Sequence, residues 1–133
     1  MSLTAKDDLG KARRALASAQ VLLEHGDVEG ACNRAYYAMF DAAHAALIAS
    51  GVGSEQSAPR KHSGLIGAFG LQLVKSGRVS ADLGMAINKV ERLRRLADYT
   101  GDPISESDAR WAVEQANIFV AAMDKAFPGP KKP

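Results

Sequence analysis

At 133 residues the chain has the length of one domain and can bury a substantial core. Its 17 Lys and Arg nearly balance its 15 Asp and Glu, which argues against a surface built to coat nucleic acid. The single cysteine, Cys32, excludes an internal disulfide and any Cys-based zinc site, and it suits a reducing compartment.

Apolar residues make up 47% of the chain and aromatics 6%, so the expected core is mainly Ala, Leu, Val and Ile. The first eight residues hold no apolar segment of the kind a secretory signal needs. The longest apolar run, Ala35 to Ala49, is interrupted by Asp41 and His44 and falls short of the roughly 20 residues that cross a bilayer. A cytoplasmic protein with no membrane segment is the expectation.

Thr4 is predicted to cap a first helix whose opening turn holds Asp7 and Asp8, the favoured sign at a helix N-terminus. Leu9, Ala12, Leu16, Ala19 and Leu23 recur at helical spacing as far as His25-Gly26, where this helix should stop. Asp27 caps the second helix, with Gly30 a weak point near its start.

The second helix, ending at Gly51, carries three stripes. Ala31, Ala35, Ala38, Ala42 and Ala45 form one, where small side chains let a neighbour approach closely. Tyr36, Phe40 and Leu47 supply bulk on another side. Arg34, Tyr37, Asp41 and His44 form a polar stripe on a helix expected to be enclosed, so they need partners. Structurally, Arg34 or His44 pairs with Asp41 and fixes helix register. Functionally, the stripe lines a cleft in which Arg34 holds an anion and Asp41 orients His44 for acid–base work.

Gly51 to Pro59 reads as a mobile loop. Arg60-Lys61-His62 follows it, read as a solvated flank or, at a helix start, as an anion site. A third helix is predicted from about Lys61 to Lys75, presenting Leu65, Phe69 and Leu73 and ending at Ser76-Gly77. Ser80 caps a fourth, which runs through Tyr99 until Thr100-Gly-Asp-Pro103 breaks it.

Late in that helix Arg92, Arg95 and Tyr99 fall on one face, and Arg94 and Asp98 sit at i, i+4. The cluster reads either as a basic helix end that complements the dipole or as a contact surface for phosphate groups of RNA or nucleotide. Ser105-Glu-Ser-Asp108 is a capping-box pattern opening a fifth helix that turns Trp111, Ala112, Ala116, Phe119, Val120 and Met123 inward. Pro128-Gly-Pro130 ends it, leaving residues 128–133 as a short disordered tail. With no alternation typical of strands, the fold class is all-α, a single-domain antiparallel bundle of about five helices over residues 1–127.

The sequence contains no Gly-rich phosphate loop, no H-E-x-x-H, no Glu-x-x-His pair and no nucleophile elbow. Neither a metal nor a cofactor is expected.

Asn33-Arg-Ala-Tyr-Tyr-Ala-Met-Phe-Asp-Ala-Ala resembles the S-R-A-Y-Y-A-M-F-H-A-A signature of small prokaryotic HEPN-domain proteins. His62-Ser-Gly and Arg95-Leu-Ala-Asp-Tyr99 also look like that group, and the resemblance covers about Lys6 to Phe127. It implies a helical bundle, frequent homodimerisation, and pairing with a minimal nucleotidyltransferase in toxin–antitoxin-like modules. Ribonuclease members carry an arginine followed four to six residues later by a histidine. Here Arg92-Leu-Arg-Arg-Leu-Ala-Asp-Tyr99 has arginines and the tyrosine but no histidine, and Asp41 stands where the signature has His.

The resulting expectation is a nucleotide- or RNA-associated binding module, a homodimer working with a nucleotidyltransferase partner. Its expected ligand contacts are Arg34, Tyr37, Asp41, Arg92, Arg94, Arg95, Asp98 and Tyr99. The alternatives are a metal-independent endoribonuclease that recruits a non-standard histidine, with His44 and Arg95 as catalytic candidates, and a helical scaffold with no ligand.

Overall fold

A computed structural model describes residues 3–51, 62–101 and 103–127, without the side chains of residues 3–6, 62–63 and 97–99. The expected loop after Gly51, the Arg60-Lys61 patch and the tail from residue 128 lie outside the described residues. Five α-helices form: α1 (Leu3–Glu24), α2 (Val28–Ala49), α3 (His62–Phe69), α4 (Ala81–Thr100) and α5 (Glu106–Ala126). No strand occurs among the described residues.

The helix ends follow local chemistry. Leu3 is already helical, so Thr4 lies within α1 instead of capping it. Gly26, at φ 82°, takes the left-handed conformation that closes α1, and Asp27 N donates to Leu22 O across the turn. The Asp27 carboxylate then accepts from Gly30 N at 2.8 Å and caps α2. Gly30 is more than a weak point here: a Cβ on it would stand 2.4 Å from Asp27 Oδ2, so the close cap depends on the bare glycine. Ser80 Oγ accepts from Asp82 N, and Ser105 Oγ from Asp108 N, at the starts of α4 and α5.

The third expected helix does not run uniformly to Lys75. After Phe69 it widens into a π-helical turn over Gly70–Val74, where Lys75 N donates to Gly70 O five residues back. The spacing of its apolar residues accounts for this. Leu65, Phe69 and Leu73 step by four, and on an ideal helix each such step drifts about 40° around the axis. The wider turn offsets that drift, and all three side chains are fully buried.

Helix α2 is the hub, packing against each of the other four. Thirteen of its 22 residues are buried, including the whole Ala31–Ala35–Ala38–Ala42–Ala45 stripe. Small side chains on that stripe leave bulk to the neighbours: Phe69 of α3 and Phe119 of α5 stack with ring centroids 5.3 Å apart. Helices α1 and α2 form an antiparallel hairpin. Asp8 and His44, which pair across it, are equally distant from Gly26 along the chain, as are Ser18 and Arg34, which line one hollow. Among the described residues no helix is long and apolar enough to cross a membrane.

Candidate functional site

The polar stripe of α2 divides between two environments. Arg34, Tyr37 and Asp41 face Lys11, Arg14 and Ser18 of α1 across a surface groove of about 310 Å³. His44 is not part of it. It is 2% exposed, and its Nδ1 pairs with Oδ2 of Asp8 on α1, itself 4% exposed. The expected Asp41–His44 pair is thereby corrected: the carboxylate beside this imidazole belongs to the other helix of the hairpin.

Asp8 is the residue that helix-end reasoning misplaced. Because α1 starts at Leu3, Asp8 lies beyond the first turn, where the dipole no longer explains it. A signal was present. Asp8, Ala12, Ala15 and Ala19 step by four, three and four, and all four are buried.

The arginines of α4 separate in the same way. Arg92 lines a groove of about 400 Å³ together with Lys89, Leu93 and Leu96 of α4 and Asp108 and Trp111 of α5. Arg95, on the exposed side, reaches back to Glu91 at 3.5 Å. Arg94, about 200° around the helix from Arg92, turns inward. Its guanidinium carbon stands 4.7 Å from the Tyr36 ring centroid and 5.9 Å from that of Tyr37. Three arginines expected to act together are therefore one groove residue, one surface pair and one interior clamp. The side chains of Asp98 and Tyr99 lie outside the described residues.

Lys89, Asp108 and Trp111 were not foreseen as site residues. Trp111 was expected to point inward, yet it is only half-buried and forms one wall of the groove. The available signal was on α4: Lys89, Arg92, Leu93 and Leu96 fall at i, i+3, i+4 and i+7, a stripe mixing cations with apolar contacts.

Burial sets the electrostatics behind this groove. Burial pushes the Cys32 thiol up to about 11, with the Asp108 carboxylate adding to the rise and Arg94 opposing it. Burial likewise raises the Tyr36 hydroxyl well above its ordinary value, opposed by Arg94 and reinforced by Glu91 and Tyr37. Both groups are uncharged near neutral pH, and neither is an activated nucleophile.

The HEPN domain profile matches residues 5–126. The chain belongs to the HEPN family. It is 37% identical over 112 residues to a protein of Methanocaldococcus jannaschii named "Putative toxin MJ0605", covering 84% of this chain and 80% of that one. It is 33% identical over 117 residues to a UPF0332 protein of Thermotoga maritima, covering 86% of this chain and 84% of the relative. A second M. jannaschii relative, "Putative toxin MJ0142", is 27% identical over 111 residues, covering 83% of this chain and 72% of its own. In this HEPN domain the described lining of neither groove includes a histidine.

Proposed function

We propose that this HEPN domain is an RNA- and nucleotide-associated binding module that works as a homodimer with a nucleotidyltransferase partner in a toxin–antitoxin-like system. The observation that carries the RNA part is the α4–α5 groove, with Trp111 facing the cations Lys89 and Arg92. An unpaired base stacks on the indole, Leu93 and Leu96 give it an apolar floor, and Lys89 and Arg92 take the flanking phosphates. Asp108, at the rim, can accept from a base amino group or a ribose hydroxyl. The toxin names of two relatives support the toxin-like setting. The partner and the dimer rest on the family resemblance.

A binding role fits better than cleavage. Acid–base hydrolysis of RNA needs a proton carrier at the scissile phosphate, and His44 is buried against Asp8. Single-stranded RNA titrated against the protein, followed by anisotropy and by emission of the single tryptophan, tests the reading. Arg92→Ala and Trp111→Ala should each weaken binding about tenfold or more, within the range for one base stack or charge-assisted contact. Unchanged binding in both variants would overturn the assignment, and cleavage of the same RNA would restore the nuclease alternative.

A further inference from the structure

We infer that the face between α4 and α5 docks an acidic amphipathic helix of a protein partner, and that this partner and RNA exclude one another. The exclusion rests on the RNA reading of the groove; the docking does not. Each helix leaves the short connection between them with a stripe along the groove. On α4 it runs from Leu96 back through Arg92 and Lys89 to Met85, and on α5 from Asp108 through Trp111 and Gln115 to Ile118. Arg92 and Trp111 line the groove. Met85 and Ile118 each lie two helical turns farther from the connection, about 10 Å along, so both stand at the far end of the same face.

Exposure marks this face for a macromolecule. Five large apolar side chains are exposed among the described residues, and three of them lie here: Met85 at 57%, Leu96 at 50% and Ile118 at 49%. Half-buried Trp111 stands on the same face. Clustered apolar side chains with a tryptophan and an arginine are the composition of protein–protein interface centres. RNA held at Trp111 leaves the far end unused: beyond Lys89 the two stripes carry Met85, Gln115 and Ile118, with no cation for a phosphate. A helix covers the whole length. From Leu96 to Met85 is about 16 Å, or three turns, the reach of a partner helix with apolar side chains at i, i+4, i+7 and i+11.

Charge selects the helix. Lys89 and Arg92 lie in the middle of the face, and Asp108 is the one carboxylate of the described lining. A helix laid over the groove takes water from both cations, and leaving them there unpaired is costly. Carboxylates along the flanks of the partner helix supply the pairing, bidentate at the Arg92 guanidinium. A second copy of this chain would bring the same surplus of cations against itself, so charge opposes self-docking here. Because Arg92 and Trp111 serve both ligands, partner and RNA compete.

Emission of the single tryptophan, Trp111, titrated with a synthetic tryptophan-free peptide of about 14 residues, tests it. The peptide is an amphipathic helix with leucines on one face and glutamates flanking them, and its counterpart carries lysines in place of the glutamates. The glutamate peptide should bind, shift the emission to the blue and displace single-stranded RNA, and the lysine peptide should bind about tenfold more weakly or worse. Met85→Ser and Ile118→Ser, at exposed positions, should each weaken the glutamate peptide several-fold and leave RNA affinity as it was. Arg92→Ala should weaken both ligands. The inference is overturned by equal binding of the two peptides, by no emission change at millimolar peptide, or by unchanged peptide binding in both serine variants. Sedimentation of the chain alone overturns it too if the native protein self-associates and Met85→Ser does not, since a second copy then holds the face. Peptide and RNA bound together would overturn the exclusion. Peptide results as expected, with no RNA bound at all, would sink only the RNA reading of the groove.

Discussion

Asp8 of α1 and His44 of α2 pair inside the protein, carboxylate Oδ2 against imidazole Nδ1, where both are almost completely withdrawn from solvent. The pair joins the two helices of the N-terminal hairpin at the end remote from its turn, beside a small cluster of Leu9, Ala45 and Ile48. In such surroundings a lone polar group has no water to replace its partner. Removing one member therefore costs more than the pair contributes, about 3–5 kcal/mol. Asp8→Ala and His44→Ala should each lower unfolding stability by that amount in urea titrations, and Asp8→Leu with His44→Leu together should cost less than the two single losses added. Additive losses would show that the side chains do not act as a pair.

The exposed pair on the same helix gives the contrast. Arg13 meets Asp124 of α5 at 2.9 Å, but the side chains keep 56% and 44% of their exposure. Water competes for both charges, and such pairs contribute about 0–1 kcal/mol. Arg13→Ala should change stability by less than about 1 kcal/mol and lose what effect it has in high salt. A loss as large as that for Asp8 would mean the contact holds α1 to α5 by more than charge.

Arg94 separates shape from charge. Its guanidinium lies over the Tyr36 ring at 4.7 Å and reaches Tyr37, so one α4 side chain ties that helix to the hub. Tyr36 is fully buried but Arg94 only partly so, and a contact of this kind is worth about 1–2 kcal/mol, where a flat guanidinium stacks as an ammonium cannot. Arg94→Met should destabilise by about that amount, and Arg94→Lys should recover only part of it despite keeping the charge. Full recovery with lysine would make the interaction electrostatic alone.

What the sequence revealed and what it hid divide along a physical line. Caps at Asp27 and Ser105, the glycine stops and the buried Leu65–Phe69–Leu73 stripe are local, set by residues within a turn or two, and spacing exposes them. The enclosure of α2 was legible because its residues leave almost no solvent face. Pairing across helices was not legible: periodicity said that His44 needed a partner, and only the hairpin register supplies Asp8. The arginines of α4 were misgrouped because adjacent residues point about 100° apart. Trp111 looked like core because a tryptophan on an apolar stripe usually is, whereas here the stripe ends at a groove.

Two buried weak acids give the fold an alkaline limit. Cys32 is raised from 9.0 to about 11, and Tyr36 is raised as well, both chiefly by burial. In the unfolded chain each ionises at its ordinary value, so the unfolded state loses protons first as pH rises. Stability is complete below about pH 9 and falls as pH climbs through the folded-state values. Cys32 alone accounts for about 3 kcal/mol of that fall. Urea midpoints should be flat from pH 7 to 8.5 and drop steeply above 9.5, and Cys32→Ala should flatten the first part of the drop. Native protein at pH 8 should resist thiol alkylation until denaturant is added, and rapid labelling would contradict the burial of Cys32.

The α4–α5 groove makes a separable claim about salt. Lys89 and Arg92 are the two cations of its described lining, and Trp111 contributes stacking without charge. For single-stranded nucleic acid each neutralised phosphate adds about 0.7 to the slope of log affinity against log salt. The native protein should give a slope near −1.4 from this groove, by the same relation for two cations. Arg92→Ala should reduce its magnitude by about 0.7, whereas Trp111→Ala should lower affinity at every salt concentration with the slope unchanged. Because the two variants act on different axes of one plot, general unfolding cannot imitate the pattern: it would lower both curves alike. A Trp111→Ala slope that moves with that of Arg92→Ala would show that the indole positions the cations and does not carry a base.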